Sequence, residues 1–477
     1  MALHLPAHTL SDEPESPVLH VHLNADRTLF GTSTREGWII YRTNPLEALI
    51  RKDLSEASLS ICLPLERTNL VFLVGGPPSP LYPPNQVVLY DAQADRAVAE
   101  LDFREEVRGL AARRDRLFVA LRRRVVIFVL GEGQTGLWRE GTYQTADNPR
   151  GLVAVASQSG STLLACPGRQ PGQVQLIKLP PLDPSMPSLP PPPSHDPTAS
   201  PYPVVSVVLA HSSGLAALSI TPDGGLLATA SKQGTLVRVW DTQSGHLVKE
   251  LRRGTDTAEI FSLALRSDGG AVAVSSDKGT VHVWDLRRKK ADKDQGPDSG
   301  ASTPRQRQLS MLKPYLPKYF SSEWSHSQFR LPPPGPASSR LPFSLSTPSH
   351  SSAQSGTAPT IEDDICTCAW IDLPRRADPA PTGAGTGPSE LSDLSESQLV
   401  VITRSGGWFR IAFDAVDSDS GTTATAASAP ASDRKGKGKA SEGRAAPPKE
   451  GVIGLDKDST SDCRVAEYQR YGQKDDW

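Results

Sequence analysis

Two stretches of this chain are near-copies of one another, and that copying limits its fold more than any other feature of the sequence. Residues 215–231 read LAALSITPDGGLLATAS and lead to GTLVRVWD at 234–241; residues 260–276 read IFSLALRSDGGAVAVSS and lead to GTVHVWD at 279–285. The copies stand about 45 residues apart, the period of a WD-type repeat. Asp223-Gly224-Gly225 and Asp268-Gly269-Gly270 are hairpin turns, and Trp240-Asp241 and Trp284-Asp285 close each unit. One such unit is a four-stranded blade that cannot hide its faces alone, so the repeat predicts blades packed radially into a propeller.

The rest of the ordered sequence agrees. Short apolar runs at 18–23, 29–33, 37–41, 69–74, 86–90, 116–121 and 124–130 are separated by turn residues such as Asn24-Ala25-Asp26, and convincing long amphipathic helices are absent. Strands of this length and spacing belong to an all-β sandwich, barrel or propeller, and the repeat selects the propeller. The expectation is a single all-β domain over 16–471, a seven-bladed WD-repeat β-propeller with long insertions between strands.

Composition explains where those insertions lie. The 43 prolines and 38 glycines among 477 residues are unevenly spread, and the low hydrophobic content of 37% averages ordered and non-globular parts. Segments 180–203, 287–325, 331–360, 375–397 and 415–461 are rich in Pro, Ser, Ala or Gly and read as disordered loops. The Lys435-Gly-Lys-Gly-Lys439 run in the last reads as solvated linker, with a nuclear signal or a polyanion contact as the other reading.

Several function classes are disfavoured. A formal net charge of -2 offers no global basic field for nucleic acid, so anion binding must come from local clusters. Cys62, Cys166, Cys366, Cys368 and Cys463 are few and odd in number, which argues against a disulfide framework and for a reducing compartment. Cys366 and Cys368 lack two further metal ligands nearby and read as alternate positions on one face of a strand. No secretory signal is expected from the N-terminal MALHLPAHTLSDEPESP, and no run approaches the roughly 20 apolar residues that span a bilayer. No paired nucleophile and base, phosphate loop or metal set stands out, so neither catalysis nor a cofactor is expected.

One local cluster does stand out. Leu251-Arg252-Arg253-Gly254 lies between the two clear blades. Adjacent side chains on an extended segment point to opposite faces, so the two arginines can serve two pockets. Guanidinium matches phosphate oxygens with a planar donor fork, and Gly254 suits a turn or close backbone approach. The first blade offers Ser231, Thr235 and Arg238 with His211 upstream; the second offers Ser276, Thr280 and His282 with Ser262 upstream. Hydroxyls and imidazoles are suitable donors to phosphate.

With LRRGTDTAEIFS at 251–262 and SDKGTVH at 276–282, the chain resembles the PROPPIN family in its WIPI-type branch. The resemblance implies a seven-bladed propeller that binds phosphatidylinositol 3-phosphate and phosphatidylinositol 3,5-bisphosphate in autophagy and endosomal or vacuolar traffic. By motif match it implies one site of His211, Ser231, Thr235, Arg238 and Arg252 and a second of Arg253, Ser262, Ser276, Thr280 and His282. Segments 75–85 and 101–107 are similar to the second and third blades, and Asn148-Pro-Arg-Gly151 with Cys166-Pro-Gly168 to the fourth. Tyr82-Pro-Pro-Asn85 is similar to members that partner the autophagy lipid-transfer protein called autophagy-related protein two. The seventh blade is expected at 364–373 and 399–413, interrupted by insertions.

The loop opened by Arg287-Arg-Lys-Lys290 carries Leu309, Met311, Leu312, Tyr315, Leu316, Tyr319 and Phe320 before Trp324. Basic and aromatic residues together suit an anionic membrane interface, and the resemblance implies insertion by this loop, with Trp324 packing back on the propeller. The expected protein is a cytosolic, peripheral effector at phagophore assembly site, endosomal and vacuolar membranes, whose binding strengthens at mildly acidic pH if His211 and His282 charge. A lipid-independent interaction scaffold is the alternative.

Overall fold

In a blade buried on both faces, the inner strands have no solvent side and lose the usual alternation of apolar and polar residues. This is what the computed structural model shows. It describes residues 18–54, 57–131, 136–180, 204–287, 322–331, 364–373, 396–413 and 463–471. Leu70–Gly75 (LVFLVG) and Ala271–Ser276 (AVAVSS) are buried at every position, whereas Arg96–Asp102 (RAVAELD), the outermost strand of its blade, is exposed or half-buried throughout.

The described residues form seven sheets in which strands follow one another in chain order. Blade 1 runs from His20–Leu23 to Glu47–Asp53, blade 2 from Leu59–Pro64 to Arg96–Asp102, and blade 3 from Gly109–Arg113 to Leu137–Gln144. Blade 4 runs from Ala154–Val155 to Val204–Leu209 and blade 5 from Leu215–Ile220 to Leu247–Arg252. Blade 6 holds Ile260–Leu265, Ala271–Ser276, Thr280–Asp285 and Ser327–Arg330. Blade 7 holds Cys366–Leu373, Glu396–Thr403, Gly407–Phe413 and Cys463–Arg470. The all-β, seven-bladed architecture expected from the repeat is therefore present. Gly224 and Gly269, at φ of 78° and 70°, make the two expected turns, each capped by the preceding aspartate. Cys366 and Cys368 both face the core between blades 6 and 7.

Two segments differ from their expected boundaries. Ser322 to Ser325 are ordered, not part of the loop, because Glu323–Trp324 adds in parallel to the outer edge of blade 5 beside Leu251 and Arg252. Glu396 and Ser397 pair with Leu373 and Asp372 and belong to a strand. Apart from Pro180, Arg287 and Leu331 at their edges, the remainder of the expected insertions lies outside the described residues.

Among the described residues no strand is shared between the ends of the ring, since blade 1 is built from 20–53 and blade 7 from 366–470. Side-chain packing carries the closure: Phe30 and Tyr41 of blade 1 meet Val400, Ile402 and Trp408 of blade 7 in one buried cluster. Tyr471 lies between them, its ring edge-on to Phe30 at 5.6 Å and to Tyr41 at 5.5 Å, while its hydroxyl donates to the Thr403 carbonyl. Removing a buried aromatic side chain costs about 3–5 kcal/mol. Tyr471→Ala is expected to lower the unfolding free energy by that amount in urea titration, whereas Tyr468→Ala, at an exposed position in the same segment, is expected to change it by less than about 0.5 kcal/mol.

Candidate functional site

The third and fourth strands of blade 5 pair with Leu236 opposite Arg252, and the Arg253 amide donates to the Thr235 carbonyl at 2.9 Å. Partners directly opposite one another share a face. Val237, Val239 and Leu251 face blade 6, in the same core as Ile260 and Val274, while Trp240 and Leu227 face blade 4. Alternation then places Arg238, Glu250 and Arg252 on the blade 4 side. Arg253 lies on the blade 6 side, where its field lowers the pKa of His282. The expected splitting of the arginine pair is present.

On the blade 4 side, His211 Nε2 meets Thr229 Oγ1 at 2.9 Å, and Trp240 Nε1 donates to the same hydroxyl at 3.1 Å. Ser231 is buried two residues further along the strand. Arg238 donates to the Ala210 carbonyl at 2.6 Å and pairs with Glu250 at 2.9 Å. Arg252 is held loosely: Nε lies 3.4 Å from Ser322 Oγ, Nη1 lies 3.5 Å from the Gly254 carbonyl, and the guanidinium sits 5.7 Å above the ring of Trp324. Thr235 meets Arg253 through its carbonyl, so the backbone links it to the other arginine.

On the blade 6 side, Arg253 is buried, with Nε donating to the Gly234 carbonyl and Nη2 to the Asp256 carbonyl, both at 2.6 Å. Burial lowers its pKa, while Asp277 and Asp256 favour its charge. Gly234 is obligatory here, since at φ of 66° a Cβ would stand 1.9 Å from the Ala258 carbonyl oxygen. Gly254, by contrast, would meet nothing within 4 Å if it carried a Cβ, so neither a turn nor a close approach requires glycine there. His282 stacks on Trp284 at 5.9 Å and bonds Ser325 Oγ at 3.0 Å. Ser276 and Thr280 share its face by alternation. Ser262 does not, because its hydroxyl accepts the Cys368 amide at 3.0 Å and so faces blade 7.

The sequence reading missed the return of the long loop. Ser322 touches Arg252 and Ser325 touches His282, so four consecutive residues border both pockets. Trp324 packs on Arg252 as expected but stays 59% exposed. Asp277 was also missed; its adjacency to Ser276 in the repeat was the available signal. Leu309, Met311, Leu312, Tyr315, Leu316, Tyr319 and Phe320 lie outside the described residues.

Comparison with known proteins agrees with the residues above. The PROPPIN family profile matches residues 199–330. Autophagy-related protein 18e of Arabidopsis thaliana is 33% identical over 329 residues, covering 67% of this chain and 78% of that protein. The chain belongs to the PROPPIN family. SVP1-like protein 2 of Emericella nidulans is 36% identical over 279 residues, covering 57% of this PROPPIN and 79% of the relative. The structure of Kluyveromyces lactis Hsv2 with its complete loop 6CD superposes with a TM-score of 0.53 at 20% identity, over 84% of this chain and 95% of that one, a likeness of fold.

The two arginines differ in what they hold together. Losing Arg253 leaves two carbonyls without their donors, a loss of about 1–3 kcal/mol. Arg253→Thr is expected to lower the unfolding free energy by that amount in chemical denaturation, and Arg252→Thr by less than about 0.5 kcal/mol.

The histidines tie the stability of the ligand-free protein to pH. Burial, reinforced by Arg238, lowers the pKa of His211 to about 4, and burial with Arg253 lowers that of His282 to about 4. Both are neutral in the ligand-free protein at mildly acidic pH, so they add no charge there. Unfolded histidine binds its proton near 6.5, so from about pH 6.5 down to 4 the unfolded chain holds more protons and stability falls. The thermal midpoint is expected to drop across that window, and less steeply in His211→Asn/His282→Asn. An acid-enhanced stability carried by these two histidines would contradict the assignment.

Proposed function

We propose that this PROPPIN is a non-catalytic phosphoinositide effector that binds phosphatidylinositol 3-phosphate and phosphatidylinositol 3,5-bisphosphate through two rim pockets and recruits autophagy machinery to membranes. The observation that carries the reading is the arginine pair divided between two faces, each half with its own hydroxyls and imidazole. Arg252 with His211, Ser231 and Arg238 forms one pocket, and Arg253 with Ser276, Thr280 and His282 the other. Thr235 serves at the boundary between them, and Ser262 supports the second from behind through blade 7.

Support also comes from the loop between 287 and 322. It leaves blade 6 at Arg287 and returns beside both pockets, so the apolar and aromatic residues 309–320 are tethered to the rim that would face lipid. Two headgroup contacts and an inserted loop on one rigid body reinforce one another through effective concentration. Pro83 and Pro84 are exposed on blade 2, and Asn85 anchors their segment by donating to the Phe103 carbonyl at 2.6 Å; this is the proposed contact for autophagy-related protein two.

The test is flotation of the full chain with phosphatidylcholine vesicles carrying phosphatidylinositol 3-phosphate. Arg252→Thr/Arg253→Thr is expected to abolish flotation, each single variant to weaken it, and added salt to weaken the wild type because the contacts are charged. Flotation unchanged in the double variant would reject the reading and favour a lipid-independent scaffold.

A further inference from the structure

The turn Asn148-Pro149-Arg150-Gly151 at the start of blade 4 does more than connect two blades. The Asn148 carboxamide closes on Leu152 in both directions, its Oδ1 accepting the Leu152 amide at 2.8 Å and its Nδ2 donating to the Leu152 carbonyl at 3.1 Å. Gly151 takes a φ of 62°, where a Cβ would stand 2.2 Å from the Arg108 carbonyl carbon. A turn this constrained aims Arg150 in one direction, away from its own blade. Its Nη1 donates to the Ile260 carbonyl of blade 6 at 2.5 Å and lies 3.3 Å from the Ala216 carbonyl of blade 5, while Nη2 pairs with Glu259. One side chain from blade 4 thus reaches the first inner-strand residues of the next two blades.

What it reaches is the far end of the segment that presents Arg253. Between Gly254 and Ile260 that segment is largely exposed. It is anchored by the burial of Ala258 and Ile260 and the pairing of Ile260 with Ser276, by the Asp256 carbonyl to Arg253, the Ala258 amide to the Gln233 carbonyl at 3.2 Å and the Glu259 carbonyl to the Asp277 amide at 3.0 Å, and by Arg150. Glu259 is exposed, so its ion pair contributes little alone. The charge-assisted bond to Ile260 is the stronger hold. Arg252 draws on none of these contacts; its neighbours are Ser322, Trp324 and Gly254.

We propose that Arg150 is a positioning residue for the Arg253 pocket: it fixes the 256–260 segment so that the Asp256 carbonyl holds Arg253 in the geometry in which a phosphate headgroup is met, without touching the headgroup itself. This rests on the phosphoinositide reading above.

The experiment separates the two pockets by background. In Arg252→Thr, Arg150→Ala is expected to weaken binding to vesicles carrying phosphatidylinositol 3-phosphate about tenfold, the equivalent of one charge-assisted hydrogen bond. In Arg253→Thr, the same substitution leaves vesicle binding unchanged. Arg150→Lys keeps a charged donor but not the fork and gives an intermediate loss, which also serves if Arg150→Ala fails to fold. Hydrogen exchange without lipid is the independent readout: the Ala258 and Asp277 amides are expected to exchange faster in either variant. Equal losses in both backgrounds, or no loss in either, would overturn the proposal, as would unchanged exchange. Vesicle binding indifferent to both Arg252 and Arg253 would instead overturn the headgroup reading, even with the exchange result intact.

Discussion

Antiparallel pairing at the edge of blade 5 is the constraint on which the candidate site depends. Leu236 stands opposite Arg252, and the next amide along, that of Arg253, bonds Thr235. A strand cannot turn two successive side chains to one side, so neighbours in sequence become residents of different grooves. Each groove is then furnished by what the repeat placed on the same face: Arg238 and Ser231 on one side, His282 and Ser276 on the other. In blade 6 a bulge between Ile260 and Ser262 turns Ser262 away from the second pocket and gives it a structural bond to blade 7. A slip of one residue in the blade 5 pairing would exchange the pockets' occupants.

The register survives three of the large insertions because each of these leaves and re-enters at paired positions. Lys178 pairs with Val204 across one, Leu373 with Glu396 across another, and Phe413 with Cys463 across a third. Loop-closure entropy grows only logarithmically with length, so a strand pair tolerates a long connection if its own cross-strand contacts are good. The ends of the ring follow a related logic. Among the described residues no strand is exchanged between blades 1 and 7, and the aromatic packing of Phe30, Tyr41, Trp408 and Tyr471 joins them.

Local patterns were legible in the sequence, and contacts between distant segments were not. The repeat, the glycine turns, the blade tryptophans and the division of the arginine pair all follow from period and alternation within one blade. Which groove Ser262 faces depends on a bulge between Ile260 and Ser262 that shifts the register. The pairing of Glu323–Trp324 with blade 5 joins residues about seventy positions apart and leaves no periodic trace. The same holds for the histidines: residue type supplies a donor, while burial beside Arg238 or Arg253, which lowers the pKa in the ligand-free protein, is a contact between distant segments.

The unequal anchoring of the two arginines bears on how two similar pockets can divide their work. Among the described residues Arg252 makes only long contacts and rests on an exposed indole, so under the proposed reading a ligand phosphate would draw it in with little to break, at the expense of ordering it. Arg253 is already ordered by two short bonds to carbonyls. A guanidinium has five N–H donors, so those two bonds leave three for an anion. It can therefore bind without releasing its anchors, and the ordering entropy has been met by folding. Under the proposed headgroup reading, a rigid donor and an adaptable one on the same strand end would let the rim accept headgroups at slightly different depths while the propeller itself stays fixed.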